Sequence, residues 1–216
     1  YSWVNTIILI TAFLSVFVAS VYILKVKNLK RLFAYSGVEH MGIVMLGIAA
    51  GGVGYYGAVL HIVCHALVKS SFFFQMGQVY RVYQSKNVYD VGDYFKYNLH
   101  GAIVLLLAFF SASAMPPSGL FISEFMIFRS LFEANYLLIL AGVVLLLTVI
   151  IWAFAKNIFK LVFSPATGFN DKNLEIIKPV ESLSQFVLLA LAVYLGLNPP
   201  DVFVRLIEEA IHHLPR

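Results

Sequence analysis

The sequence predicts an all-α integral membrane protein: six transmembrane helices, two of them discontinuous, followed by a C-terminal amphipathic helix. Three observations carry this. The chain is 61% hydrophobic and 12% charged, with a mean hydropathy of +0.86, whereas a soluble domain carries about 25% charged residues. Long runs hold no charge at all, each near or above the ~20 residues that cross the hydrocarbon core as a helix. Eleven of the fifteen Lys and Arg residues fall in alternate loops, the asymmetry that sets orientation in a bilayer. The single cysteine, Cys64, excludes a disulfide framework within the chain.

The elements follow in order. Tyr1 to Leu24 has no Asp, Glu, Lys or Arg and forms the first span, 1–24. It lacks the basic start and cleavage site of a signal peptide, and a start without Met predicts further polypeptide ahead of Tyr1. From Leu32 to Tyr80 the chain is largely apolar, interrupted by Glu39, Lys69 and three histidines, and too long for one helix. The glycines at 51, 52 and 54 are its natural break, giving spans 29–50 and 55–83. A fourth span, 97–130, is interrupted at Met115-Pro116-Pro117-Ser118-Gly119, because proline removes a backbone donor and clashes with the preceding turn. Spans 134–156 and 180–198 complete the six. Residues 1–198 read as one transmembrane unit. After Asn198-Pro199-Pro200-Asp201, residues 199–216 form the amphipathic helix, with Phe203, Leu206, Ile207, Ala210, Ile211 and Leu214 at helical spacing. It lies on the outer surface or against a neighbouring subunit.

Lys25, Lys27, Lys30 and Arg31 follow span one; Arg81, Lys86 and Lys96 follow span three; Lys156, Lys160, Lys172 and Lys178 follow span five. The positive-inside rule makes these loops cytoplasmic and leaves the C-terminus outside.

The candidate functional residues are titratable groups inside the spans. His61, His65 and Lys69 fall one turn apart on one helix face, with Lys69 ~20 Å along its helix from Tyr55. A charge there costs roughly 2.5–3.5 kcal/mol on insertion scales, so the side chain faces protein or water. Desolvation penalises the charged form of a lysine and histidine titrates near neutrality. Such a row suits a proton relay bridged by water, with Ser70, Ser71 and Gln75 adding polar groups. Glu124, five residues after Gly119 with Ser123 beside it, lies toward the outside near Arg129 and Glu133 and suits an exit group. Glu39 and His40, roughly 12–14 Å into span two, are either a cytoplasmic inlet or partners of the Lys25–Arg31 loop. Two structural readings stand beside the relay. His61 and His65 could be metal ligands, although a tetrahedral site lacks further donors; Lys69 could pair with a buried carboxylate to fix packing. No metal site is expected. Nothing resembles a phosphate loop, a nucleophile triad or a cluster-binding cysteine set, so neither catalytic chemistry nor a nucleic-acid partner is expected of this chain.

Three motifs carry a family resemblance. The stretch KNLKRLFAYSGVEHMGIVMLGIA, starting at Lys27, resembles the K-R-L-x-A-Y-S signature of the antiporter-like, proton-pumping membrane subunits of the complex I superfamily. HIVCHALVKSSFFFQMGQVY, from His61, resembles their H-x-x-x-H-A-x-x-K helix, and MPPSGLFISEFMI, from Met115, their broken helix with an exit residue. The V-E-H-M-G and P-P-S-G-L-F-I-S-E-F variants are most similar to the F-type membrane subunit of energy-converting, membrane-bound NiFe hydrogenases. The resemblance implies that the six spans correspond to the second of two inverted repeats plus one helix. It implies a central-axis role for Lys69 in a discontinuous helix, axis roles for His61 and His65, and an outlet role for Glu124. It also implies a multi-pass cell (inner, cytoplasmic) membrane protein that moves H⁺ or Na⁺ and contacts lipid, other membrane subunits and a soluble redox arm. Iron–sulfur clusters and a NiFe centre, or NADH and quinone, would belong to the partner subunits, with no cofactor in this chain. The first repeat, with the family's input glutamate–lysine pair, is absent from this sequence. A Na⁺/H⁺ antiporter subunit without a redox arm and a membrane anchor that has lost pumping remain as alternatives.

Overall fold

A computed structural model of the chain describes residues 2–165 and 177–214. Tyr1, Lys172 in the predicted basic loop and Arg216 in the predicted tail lie outside the described residues. Among those described there are helices and no strands. Five helical segments, Trp3–Ile23, Leu29–Ala50, Val53–Tyr83, Leu137–Phe163 and Pro179–Leu197, are each long and apolar enough to cross a bilayer.

Helix α1 (Ser2–Ile23) and α2 (Leu29–Ala50) form the most extensive helix pair, and Asn28 caps α2 by accepting from Lys30 N at 2.9 Å. The predicted glycine break is present: Gly51 and Gly52 adopt φ of +76° and +55°, and α3 (Val53–Tyr83) starts immediately after. Left-handed backbone of this kind favours residues without a Cβ. Gly54 then lets α3 approach its neighbours, since a Cβ there would lie 2.7 Å from Ser130 Oγ as well as against the Gly47 carbonyl. Small residues at such crossings let helices in lipid pack closely.

Helix α3 is one uninterrupted helix of 31 residues. This corrects the expectation that Lys69 sits in a discontinuous helix. No proline interrupts the segment, and His61, Lys69 and Gln75 bond to groups on other helices rather than to its own backbone. The other predicted interruption is present. A short α4 (Tyr94–Tyr97) precedes α5 (Leu99–Ala112), the chain leaves helical geometry over 113–118, and α6 (Gly119–Glu133) resumes. Ser118 caps α6 through Leu120 N (3.2 Å) and donates to the Ser111 carbonyl (3.3 Å), tying the two halves together. The start of α5 is set by Asn98, whose side chain accepts from Gly101 N at 3.0 Å.

Helix α7 (Leu137–Phe163) runs beyond the predicted end, so Lys156 and Lys160 lie on its last turns rather than in a loop. Lysine is a good helix former and is favoured near a helix C-terminus. A 3₁₀ turn (Pro179–Ser182) leads into α8 (Leu183–Leu197), and α9 (Asp201–Ile211) follows Pro200. Of the predicted apolar face of α9, Ile207 is buried and Phe203 and Ile211 pack against the core, while Leu206 and Leu214 are exposed; its helix partner is α3.

The basic segments share one end. Leu29 N donates to Lys86 O and Val88 N to Lys27 O (2.9 Å each), and Asp93 N donates to Ser164 O at 2.7 Å. At the opposite end Ser130 Oγ donates to the Gly51 carbonyl.

Candidate functional site

Three helices meet at a buried polar cluster: α2 brings Glu39 and His40, α3 brings His61, His65 and Lys69, and α6 brings Ser123 and Glu124. The close crossing at Gly57, whose Cβ position would lie 3.0 Å from the Ser123 carbonyl, sets α3 directly on α6. The break at 113–118 starts α6 at a depth that turns Glu124 inward.

Lys69 is 6% exposed, and its Nζ donates to the Phe33 carbonyl of α2 at 2.9 Å. Its charge acts on Glu39, His40 and His65 together. Glu39 Oε2 is 3.8 Å from His40 Nε2. His40 Nδ1 lies 3.0 Å from His61 Nε2 and 3.9 Å from Glu124 Oε1. His61 Nδ1 lies 2.9 Å from Ser123 Oγ, and that hydroxyl donates to the Leu120 carbonyl at 2.9 Å.

These contacts assign the tautomers of neutral imidazoles. Ser123 has one hydroxyl hydrogen and gives it to Leu120, so His61 Nδ1 carries the hydrogen between the two. In the tautomer that continues this chain, His61 Nε2 accepts from His40 Nδ1–H, and His40 Nε2 is left on the side of Glu39, with the Ala112 carbonyl also beside the ring. The Nε2 atoms of His40 and His65 are buried without a hydrogen-bond partner. A buried polar nitrogen left without a partner costs roughly 1–3 kcal/mol. A small cavity of about 20 Å³, lined by Ser36, Glu39, Ser113 and Glu124 among others, lies between the two carboxylates. That volume suits one water-sized molecule.

The predicted row is thus altered. His61 and His65 ring centroids are 6.3 Å apart, and the His40 ring lies 5.1 Å from the first and 4.8 Å from the second. The histidines of α3 meet through His40 of α2 more closely than along their own helix. Glu39 and His40 are 3% and 0% exposed and are turned into the cluster, so the reading as partners of the Lys25–Arg31 loop is overturned. Glu39 also lies six residues beyond Phe33, about 9 Å further from the basic end than the carbonyl that holds Lys69. Its carboxylate meets His40 of the cluster. Glu124 is buried, while Arg129 and Glu133 pair with each other at 2.8 Å on the surface. Ser70 is exposed, and Gln75 belongs to a second polar group nearer the basic end, bonded to Gln185 and Tyr94.

His40, His61 and Glu124 offer three donor atoms within 4.8 Å of one another, a spacing a metal ion could use. Two donors beyond His61 are thus supplied by α2 and α6. His65 and Cys64 stand outside this set; Cys64 Sγ is 3.8 Å from the Ala192 carbonyl.

Residues 1–150 match the family model described as NADH:quinone oxidoreductase/Mrp antiporter, transmembrane. The chain is 31% identical over 193 residues to the hydrogenase-4 component F homolog of Methylacidiphilum infernorum, covering 87% of this chain and 39% of that protein. It superposes with a TM-score of 0.84 on a chain of the membrane-bound sulfane sulfur reductase, an archaeal respiratory membrane complex, at 20% identity, covering 98% of this chain and 34% of the other. For a chain of the Mrp complex from Dietzia sp. DQ12-45-1b the TM-score is 0.81 at 15% identity, covering 96% and 46%. The chain spans about two fifths of the length of the curated relatives it matches.

Proposed function

We propose that this chain, which belongs to the NADH:quinone oxidoreductase/Mrp antiporter transmembrane family, forms one half-channel of a proton-translocating membrane subunit in a complex-I-like redox pump of the membrane-bound hydrogenase type. The observation that carries this is the buried group in which His40 meets Glu39, His61 and Glu124, with Lys69 buried on its basic side against the Phe33 carbonyl. Lys69 acts as the carrier. Its ammonium hands a proton to Glu39, whose carboxyl faces the bare Nε2 of His40. Protonation there lets His40 release its Nδ1 hydrogen to His61 or Glu124, and Glu124 is the outlet. His65, with an open nitrogen beside the His40 ring, is a side branch.

In this reading α5 and α6 together make a sixth span, the basic end is cytoplasmic, the C-terminus is outside, and the spans are the second inverted repeat plus one helix. The remaining repeat, the soluble redox arm and its iron–sulfur and NiFe centres, or NADH and quinone chemistry, belong to other polypeptide. Charge translocation by the complete complex in sealed vesicles tests it: Lys69→Ala should abolish translocation with assembly intact, and unchanged pumping refutes the role of Lys69.

The likeness to an Mrp complex chain supports a second reading, a Na⁺/H⁺ antiporter subunit without a redox arm. Copurification of iron–sulfur and NiFe subunits separates the two. A membrane anchor that no longer pumps would leave Glu124→Gln silent.

A further inference from the structure

A cavity of about 600 Å³ opens at the basic end, between the end of α1, the loop after α3 and the last turns of α7. Its walls include Leu24, Val26, Tyr89 and Trp152, and its rim carries Lys156 and Lys160. The two lysines are one turn apart on α7. Lys160 Nζ lies 4.2 Å from the Tyr89 ring centroid, and Lys156 Nζ lies 5.5 Å from the Trp152 ring. Among the described residues no acidic side chain lines the cavity, and neither lysine pairs with a carboxylate.

Compensation of the helix dipole accounts for cations at the end of α7, and interfacial anchoring accounts for a tryptophan there. Neither accounts for a recess that combines apolar walls from Leu24, Val26 and Trp152 with a described rim of two positive charges and no negative one. We propose that this cavity binds an anionic phospholipid, with the phosphate on Lys156 and Lys160 and the upper acyl chain along Leu24, Val26 and Trp152. Ammonium groups act on a phosphate as point charges without demanding a forked geometry, and stacking on Tyr89 and Trp152 holds them in place. A basic pocket between transmembrane helices on the positively charged side of a membrane suits a lipid headgroup. The inference stands independently of ion translocation.

Fluorescence of Trp152 tests it. The complete protein is reconstituted in phosphatidylcholine vesicles containing a small fraction of lipid with brominated acyl chains, either phosphatidylglycerol or phosphatidylcholine. The Trp152 signal is taken as the difference from Trp152→Phe. Brominated phosphatidylglycerol should quench this signal up to roughly 25-fold more effectively than brominated phosphatidylcholine, given about fivefold for each of two basic residues near the surface. Lys156→Gln with Lys160→Gln should abolish the preference, and Lys156→Arg with Lys160→Arg should keep it. Equal quenching by the two lipids in the unaltered protein overturns the site, as does a preference that survives the paired Gln substitutions. If inorganic phosphate in the buffer abolishes the preference, the cavity takes free phosphate and the lipid assignment falls. Should the Gln pair fail to fold, the unaltered protein and the Arg pair still decide the outcome.

Discussion

From His61 to Lys69, α3 carries titratable side chains turned inward, whereas from Gln75 to Gln78 the same helix buries amides that do not titrate. In the second region Gln75 Nε2 donates to Gln185 Oε1, and Gln75 Oε1 accepts from Tyr94 Oη, both at 2.8 Å. Asn98 Nδ2 reaches Gln78 Oε1 and Tyr94 Oη at 2.9 Å, and Ser182 Oγ donates to Gln78 Oε1 at 3.3 Å. Burial pushes the Tyr94 phenol well above its ordinary range, so it stays a neutral donor. Nearer the basic end Arg81 pairs with Glu181 beside Ser182. The amide region thus ties α3, α4, α5 and α8 together with saturated hydrogen bonds, while the ionisable region keeps bare nitrogens, facing carboxylates and a water-sized cavity. Saturation and openness, rather than polarity, separate holding a bundle together from passing a charge through it.

Isosteric neutralisation is the strongest test of that contrast. Glu39→Gln and Glu124→Gln preserve shape and remove only titration, so translocation by the assembled complex should fall at least about tenfold, with amounts of complex unchanged. Equal translocation in vesicle assays would place the two carboxylates off the path. In the amide region the expectation reverses. Gln75→Leu leaves Gln185 and Tyr94 each short of a partner, a loss of roughly 1–3 kcal/mol, seen as a lower unfolding midpoint in detergent. Translocation per assembled complex should hold. The pair Gln75→Leu and Gln185→Leu should recover part of the loss, because both ends of one bond are then apolar. If Gln75→Leu instead stops translocation without lowering stability, the amides belong to the path and the contrast fails.

A smaller effect probes the tautomer chain. Ser123→Ala removes the acceptor that orients His61 Nδ1–H, and one neutral hydrogen bond is worth about 0.5–1.5 kcal/mol. Translocation should slow roughly twofold to tenfold, and Ser123→Thr should restore it. No rescue by threonine would show that packing and not the hydroxyl matters at this position.

Several features were legible in the residues themselves. Gly51 and Gly52 marked the turn between α2 and α3, and Pro116-Pro117 marked the interruption between α5 and α6, because each acts on its own backbone. Lys69, His61, His65 and Glu124 stood out as titratable groups in apolar surroundings. The insertion of His40 between His61 and His65 was not legible, since it depends on how α2 and α3 cross. Neither was the amide region: Gln78, Asn98 and Gln185 carry no charge and lie near the basic ends of their spans, where polar residues are ordinary, so they give no signal until α8 lies against α3. The uninterrupted α3 ran against the resemblance, and the absence of proline in that segment was the local sign.

The last test uses the surface as reference for both regions. Arg129 and Glu133 pair at 2.8 Å one turn apart on α6, the helix that also carries Glu124, with side chains 61% and 52% exposed. Water screens such a pair, and exposed pairs of this spacing contribute about 0.3–0.5 kcal/mol. Arg129→Gln should therefore shift the unfolding midpoint only slightly, less as salt rises, and leave translocation as it was. The comparison with Glu124 is the informative part: a carboxylate at 133 is replaceable because solvent satisfies it, and one at 124 is not, because only His40 and its cavity do. If Arg129→Gln lowered translocation as far as Glu124→Gln, burial would no longer distinguish the functional charge from the decorative one, and the outlet would have to extend to the surface pair.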